Sequence, residues 1–314
     1  MFADALIDAI KMKDNPTVAG LDPRLEYVPP HLRQAVKNET GGGLEGAAEA
    51  IIRFNKGLID ALYDVVPAVK PQLAYYEMYG LPGLKAFAET VKYAKSKGLL
   101  VIADGKRNDI GPSAAAYSAA FLGASAVEDG SVRAFEADAL TVNPYLGIDG
   151  IKPFADDCRD NGKGIFALVK TSNPSSGELQ DLKLEDGRTI YEAVAGLVGA
   201  WGEGVLGDSG YSSIGAVVGA TYPEQAAKLR KIMPKAIFLV PGYGAQGGAA
   251  DDCANSFNPD GLGAIVNASR SIMCAYSSPR WKESYDGESY AEAARAEALR
   301  MKDDLGGALT RRFG

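Results

Sequence analysis

The segment LLVIADGKRNDIG, residues 99–111, drives an apolar run into Asp104, Lys106, Arg107, Asn108 and Asp109. Asp104 and Lys106 are two apart, so on an extended strand both side chains leave by the same face. An ammonium held beside a carboxylate can stabilise developing negative charge and deliver a proton. Asp22 closes the run TVAGLD, and Lys70 lies inside PAVKPQLA. A lysine in the middle of an apolar run is rarely a surface residue. Asp22 or Asp109 alone reads as a solvated loop residue. Together these residues place two ammoniums among several carboxylates around one point. Buried charges of that kind persist only when mutually paired, so the set is either a structural network or an active site.

Two further groups suit an anion and a heterocycle. In PGYGAQGG (241–248) the glycines let backbone N–H groups close around an anion, and Gln246 adds a side-chain donor. NASR (267–270) ends another apolar run with Arg270, whose guanidinium can grip a phosphate with two parallel bonds. Alone, the glycine-rich loop reads as a plain turn; with Arg270 it reads as a phosphate site. Ser172, in KTSNPSSGELQ (170–180), can donate to and accept from the edge of a polar ring. The same Ser-Asn-Pro reads equally as a turn. No histidine adjoins Ser172, which excludes a Ser-His nucleophile. The only histidine is His31, in a surface setting beside a helix start, which excludes HExxH zinc sites and most His-rich metal centres. Thr141 and Asn143, in LTVNPYLG (140–147), are candidates to line the same site, with no role assigned.

The elements that must position these groups alternate along the chain. Eight short apolar runs (17–22, 67–74, 99–106, 137–144, 164–172, 214–221, 236–244 and 263–270) lack polar alternation, as parallel strands buried on both faces do. Helical stripes separate them, such as Ile51, Phe54, Leu58 and Leu62, or Leu84, Phe87, Val91 and Ala94. Eight such units predict an α/β protein with a single (β/α)₈ TIM-barrel domain over 1–314, its chemistry at the carboxyl ends of the strands. A doubly wound sheet is the alternative, but no GxGxxG follows the first run. Phe2, Leu6 and Ile10 predict an extra N-terminal helix, and 281–314 a C-terminal helical extension packed on the barrel exterior. Residues 38–46 read as a surface loop, and 172–188 as a long polar lid or binding loop.

A net charge of −7 argues against nucleic-acid partners, and no stretch reaches the roughly 20 apolar residues of a membrane span. Asp4 and Asp8 exclude a signal peptide, and three cysteines without CxxC spacing fit a reducing compartment. The expectation is a soluble cytoplasmic protein.

The D-x-K-x-x-D-I-G pattern of Asp104, Lys106, Asp109, Ile110 and Gly111 resembles the signature of the orotidine 5′-monophosphate decarboxylase family. AGLDPR, VKPQLAYYE, TVNPYLG, VKTSNPSSG, PGYGAQGG and VNASRS occur in the order that family would show, over roughly residues 6–276. The set looks most like the longer bacterial and mycobacterial-type branch. The resemblance implies decarboxylation of orotidine 5′-monophosphate (OMP) to uridine 5′-monophosphate (UMP) in de novo pyrimidine biosynthesis; the lack of a metal-ligand cluster in the sequence, with a lysine able to serve as the acid, predicts that it needs no metal or organic cofactor. It implies Lys106 as proton donor, Asp104 against the substrate carboxylate, and Lys70 contacting the ribose while pairing with Asp104. Asp22 would bind or adjoin the ribose hydroxyls, Ser172 the pyrimidine edge, and Gln246 and Arg270 the phosphate. Ser269, where many members have Gly before the Arg, would add a backbone contact. Asp109, with Ser113, would reach into the partner's site in a homodimer. The rivals are a Mg²⁺-dependent phosphosugar barrel with the same DxKxxD, such as 3-keto-gulonate 6-phosphate decarboxylase or hexulose-phosphate synthase, and a non-catalytic nucleotide-binding barrel. Ser172 and the loop after it favour a base-binding site over the phosphosugar rival.

Overall fold

The eight apolar runs form eight parallel strands in a computed structural model that describes residues 1–244 and 248–314. The barrel strands are β1 (Thr17–Leu21), β2 (Ala68–Pro71), β3 (Leu100–Arg107), β6 (Ala139–Val142), β7 (Gly164–Lys170), β8 (Ser212–Val218), β9 (Ala236–Pro241) and β10 (Ala264–Ala268). They close in the order β1-β10-β9-β8-β7-β6-β3-β2. Outside this ring, β4 (Ser125–Val127) and β5 (Gly130–Val132) form an exposed antiparallel hairpin that the sequence reading did not foresee. Every residue of β1, β2, β6, β8 and β10 is buried. One face of each strand meets the barrel interior and the other meets the helices, which is why the runs are apolar without alternation.

Two cores follow from those two faces. Val18, Ala68, Ile102, Ala139, Phe166, Ile237 and Ile265 fill the barrel interior together with Phe2, Leu6 and Ile7 of the helix Phe2–Lys13. The stripe read from the sequence thus plugs one end of the barrel. Phe2 meets Phe166 edge to face at 6.0 Å, and a Cβ at Gly164 would stand 2.1 Å from the Phe2 ring, so glycine makes room for the plug. The second core lies between barrel and helices and includes the Ile51, Phe54 and Leu58 stripe and the Phe87–Val91 stripe. Each fully buried Leu, Ile or Phe here contributes about 1.5–3 kcal/mol.

Residues 38–46 are not a loop. They form the end of the helix Pro30–Thr40 and the start of Gly43–Leu62, joined through Gly41 and Gly42 at positive φ. Glycine-rich composition marked the sharp junction, and the helices on both sides were hidden by it. The C-terminal extension is helical from Tyr290 to Phe313, preceded by turns. Residues 171–189 connect β7 to the helix Ile190–Gly202 and carry the short helix Gly177–Gln180.

Candidate active site

At the carboxyl ends of the strands lies a cleft of about 680 Å³. Asp22 enters it just after β1, Lys70 from β2, Asp104 and Lys106 from β3, Ser172 after β7, and Ser269 and Arg270 after β10. Asp104 and Lys106 meet at 2.7 Å, as their spacing of two predicts, although β3 is not regular between them. The pairing of β3 with β6 slips between Ala103 and Arg107, and Lys106 adopts φ +47°, a left-handed backbone that a side-chain-bearing residue reaches only under constraint. The backbone N–H of Lys106 is held at 2.9 Å by Thr141 Oγ1.

Asp104 is the hub of this end. Its Oδ2 accepts from Lys70 Nζ at 2.6 Å and from Gln72 Nε2 at 3.0 Å. Its Oδ1 accepts from Lys106 Nζ at 2.7 Å and from Thr141 Oγ1 at 2.8 Å. Asp22 Oδ1 stands 4.0 Å from Lys70 Nζ. Two ammoniums and two carboxylates of the same chain therefore balance, which makes the burial of Lys70 and Asp104 tolerable. Burial alone would raise the Asp104 carboxyl; the pull of Lys70 and Lys106, with their hydrogen bonds, outweighs it and holds the group well below the usual carboxylate range. Burial alone would lower the Lys70 ammonium, and Asp104 and Asp22 outweigh that and raise it. Asp104 is thus an anion, and Lys70 a cation, throughout the working pH range.

This pairing has a testable signature in stability. A carboxyl whose folded pKa is depressed contributes stability that is complete above the unfolded pKa and lost as pH falls through the folded value. Asp104→Asn leaves Lys70 and Lys106 facing a neutral amide, and should lower the unfolding free energy by about 3–5 kcal/mol at neutral pH, the usual cost of breaking a buried pair. The deficit relative to wild type should stay constant from about pH 7 to about pH 5 and shrink only below about pH 4. Denaturant titrations at each pH measure it; a deficit that already shrinks between pH 7 and 5 would contradict the depressed pKa.

The other end of the cleft is formed by Pro241 at the end of β9, Gly242 and Tyr243 after it, and Asn267 to Ser271 around the end of β10. Arg270 opens the short helix Arg270–Met273, and its side chain is exposed at the mouth. A Cβ at Gly20 would stand 1.9 Å from Ser269 Oγ, so only glycine lets β1 pass this close to the loop after β10. Tyr243 is braced from outside: its hydroxyl donates to Asp304 Oδ2 at 2.5 Å and accepts from Arg300 at 3.2 Å, both on the helix Tyr290–Phe313. Arg300 is held in turn by Glu297. Burial pushes the Tyr243 hydroxyl up to about 12. Gln246 lies outside the described residues.

Asp109 and Ser113 do not line their own chain's cleft. Asp109 Oδ1 caps the N–H of Ile110 at 2.8 Å, and Ser113 is exposed on the helix Gly111–Phe121. Gln72 and Asn267 line the cleft but were not found in the sequence, and Thr141 was found without its role. Asn267 is buried, and its Oδ1 accepts no hydrogen bond among the described residues. The strand period could have flagged Gln72, two residues past Lys70, and Asn267, two before Ser269. Asn143 caps the turn Pro144–Leu146 by accepting from Tyr145 N–H and does not line the cleft. Among the described residues no three His, Cys, Asp or Glu side chains form a group able to hold a metal, and no helix is long and apolar enough to cross a membrane.

A cleft of paired charges at the carboxyl ends of a closed parallel barrel defines a (β/α)₈-barrel enzyme. Comparison with known proteins narrows the class. Residues 50–281 match the model of the orotidine 5′-phosphate decarboxylase / HUMPS family. The chain is 46% identical over 306 residues to the orotidine 5′-phosphate decarboxylase of Rhodopirellula baltica, covering 98% of this chain and 99% of that one. It is 41% identical over 309 residues to the enzyme of that name from Caldicellulosiruptor saccharolyticus, again covering 98% and 99%. The solved OMP decarboxylase of Leishmania donovani superposes with a TM-score of 0.72 at 28% identity, covering 98% of each chain. The protein belongs to the orotidine 5′-phosphate decarboxylase family, and it is a carboxy-lyase.

Proposed function

We propose that this protein decarboxylates orotidine 5′-monophosphate to UMP in de novo pyrimidine biosynthesis, with Lys106 as the proton donor. The observation that carries the reading is Asp104 held between two ammoniums, Lys70 at 2.6 Å and Lys106 at 2.7 Å, inside the cleft. Loss of CO₂ breaks the bond between C6 and the carboxyl carbon and leaves the electron pair on C6. That carbanion has little resonance help, so catalysis must favour the transition state over the bound substrate. The Lys106 ammonium stabilises the charge as it grows and then transfers a proton to C6. Solvent reprotonates the resulting amine. Asp104, beside the departing carboxylate, keeps Lys106 charged and aimed. Lys70 and Gln72 fix Asp104, and Asp22 takes the ribose hydroxyls. Ser172 reads the pyrimidine edge, while Arg270, Ser269 and Gln246 hold the phosphate.

The phosphate lies far from C6, so its grip supplies binding energy rather than chemistry. Arg270→Ala should weaken UMP binding by about 2–4 kcal/mol, the value of a lost charge-assisted contact. Calorimetric titration of the variant with UMP checks it; an unchanged Kd would remove Arg270 from the phosphate site. The proposal also includes independence from metal. Exhaustive chelation should leave turnover within about twofold of the untreated rate, whereas a metal-held enediolate would lose it. Loss restored by Mg²⁺ would favour the phosphosugar chemistry.

A two-fold homodimer with shared sites belongs to the same proposal. Ile110 is 51% and Tyr145 77% exposed, and Leu146 and Ile148 lie open beside them. Gly150, whose Cβ would stand 3.1 Å from Asp109 O and 3.2 Å from Leu146 Cβ, lets the two loops touch. Asp109 and Ser113 therefore border an apolar surface of the kind that partners cover. This supports their service to a partner's cleft. Reduced cysteines, free in all three cases, are compatible with the cytoplasmic setting that the reading includes.

A further inference from the structure

Lys170 ends β7 with no exposed surface, and the proposed chemistry makes no use of it. Its Nζ lies 2.7 Å from Asp181 Oδ1 and 3.2 Å from Ser176 Oγ. It also stands 4.6 Å from the centre of the Tyr222 ring and 5.5 Å from that of Tyr191. Both polar partners belong to residues 171–189, the connection whose residues 172–188 the sequence marks as a lid or binding loop.

The pairing is asymmetric. The Asp181 side chain is 47% exposed and would be well hydrated without Lys170. Lys170 has no such recourse, because no part of it reaches water while the segment is in place. Lifting the segment strips a buried ammonium of its carboxylate and its hydroxyl, which is unfavourable until water replaces them. The aromatic faces of Tyr191, on the helix Ile190–Gly202, and of Tyr222, beyond the end of β8, also lie against the cation.

That segment carries one wall of the cleft: Thr171, Ser172, Asn173 and Gln180. Gln180 clamps the wall to the strand end, accepting from Thr171 N–H at 3.0 Å and donating to Thr171 Oγ1 at 2.8 Å. Asp181 is the next residue, so the ion pair sits directly behind the clamp. On the other side, a Cβ at Gly219 would stand 2.9 Å from Ser172 Cα, and glycine lets Ser172 settle against the end of β8. We infer that Lys170 is a positioning residue, which pins residues 171–189 to the barrel and so fixes Ser172 and Gln180 as a rigid wall at the heterocycle end of the cleft. The choice of heterocycle as ligand rests on the decarboxylase reading; the pinning does not.

The experiment uses the full chain with Lys170→Met, which keeps the length and apolar bulk and removes the charge. Hydrogen exchange of the ligand-free protein reads the pin, and calorimetry with UMP and with ribose 5-phosphate reads the wall. Exchange within 171–189 should accelerate by at least about tenfold while the barrel strands keep their protection. UMP affinity should fall about tenfold, and ribose 5-phosphate affinity should change by less than about twofold. If Lys170→Met does not fold, Asp181→Ala, at a half-exposed position, should give the same pattern by leaving Lys170 unpaired. Unchanged exchange would overturn the pin, and equal losses for both ligands would overturn the wall. If the wild-type protein bound ribose 5-phosphate but not UMP, the decarboxylase reading would fall, and the exchange data would still decide the pin.

Discussion

Lys106→Ala should lose nearly all turnover while remaining folded and able to bind UMP. The substitution removes the acid, whose transfer to C6 is worth about 10²–10⁴-fold. It also removes the fixed positive charge beside the developing carbanion, a contribution of about 10²–10³-fold in comparable sites. The two effects act in one transition state and do not add in full, so a fall in kcat of at least about 10⁴-fold is expected. Folding should survive, because the Lys106 side chain is 45% exposed and Asp104 keeps its bonds to Lys70, Gln72 and Thr141. UMP, which lacks the carboxylate, should bind within about tenfold of wild type, since the phosphate and ribose are gripped elsewhere. Steady-state kinetics with OMP and calorimetry with UMP separate the two. A kcat near wild type would remove Lys106 from the chemistry.

Mixing two inactive variants should restore activity. Asp109 is three residues past Lys106 yet does not line the same cleft, and it borders an exposed apolar surface. If it serves a partner's site, Lys106→Ala and Asp109→Ala homodimers are both nearly inactive. In a mixed dimer, one site joins the intact Lys106 of one chain to the intact Asp109 of the other, and the second site lacks both. Random pairing of equal amounts makes half the dimers mixed, so about a quarter of all sites should recover. The measurement is turnover after the two proteins are refolded together, with each refolded alone as control. An inactive mixture in which mass spectrometry confirms mixed dimers would place Asp109 outside any shared site.

The sequence shows the barrel clearly because eight strands buried on both faces leave eight apolar runs that few other folds need. It also shows Asp22, Lys70, Asp104 and Lys106, because charge at the end of such a run is costly unless it is paired. What it hides depends on contacts between distant segments. Gln72 and Thr141 matter through Asp104, which lies 32 and 37 positions away in the chain. The left-handed turn at Lys106 coincides with a slip in strand pairing, and no residue type announces it. Lys170 opens the same KTSNPSSGELQ segment as Ser172, but its full burial depends on Asp181, Tyr191 and Tyr222 closing around it. Gly41 and Gly42 mislead in the opposite direction: they mark a tight junction between two helices, and composition alone makes it look like a loop.

The most direct measurement is conversion of orotidine 5′-monophosphate by the wild-type protein in deuterated water containing a chelator. Loss of substrate absorbance gives the rate, and proton magnetic resonance of the product gives the fate of C6. The chemistry assigned to Lys106 predicts UMP and CO₂ in equal amounts, with one deuteron at C6 delivered from the exchanged ammonium, and a rate that collapses in Lys106→Ala. No turnover by the wild-type protein, or turnover that depends on added Mg²⁺, would contradict it.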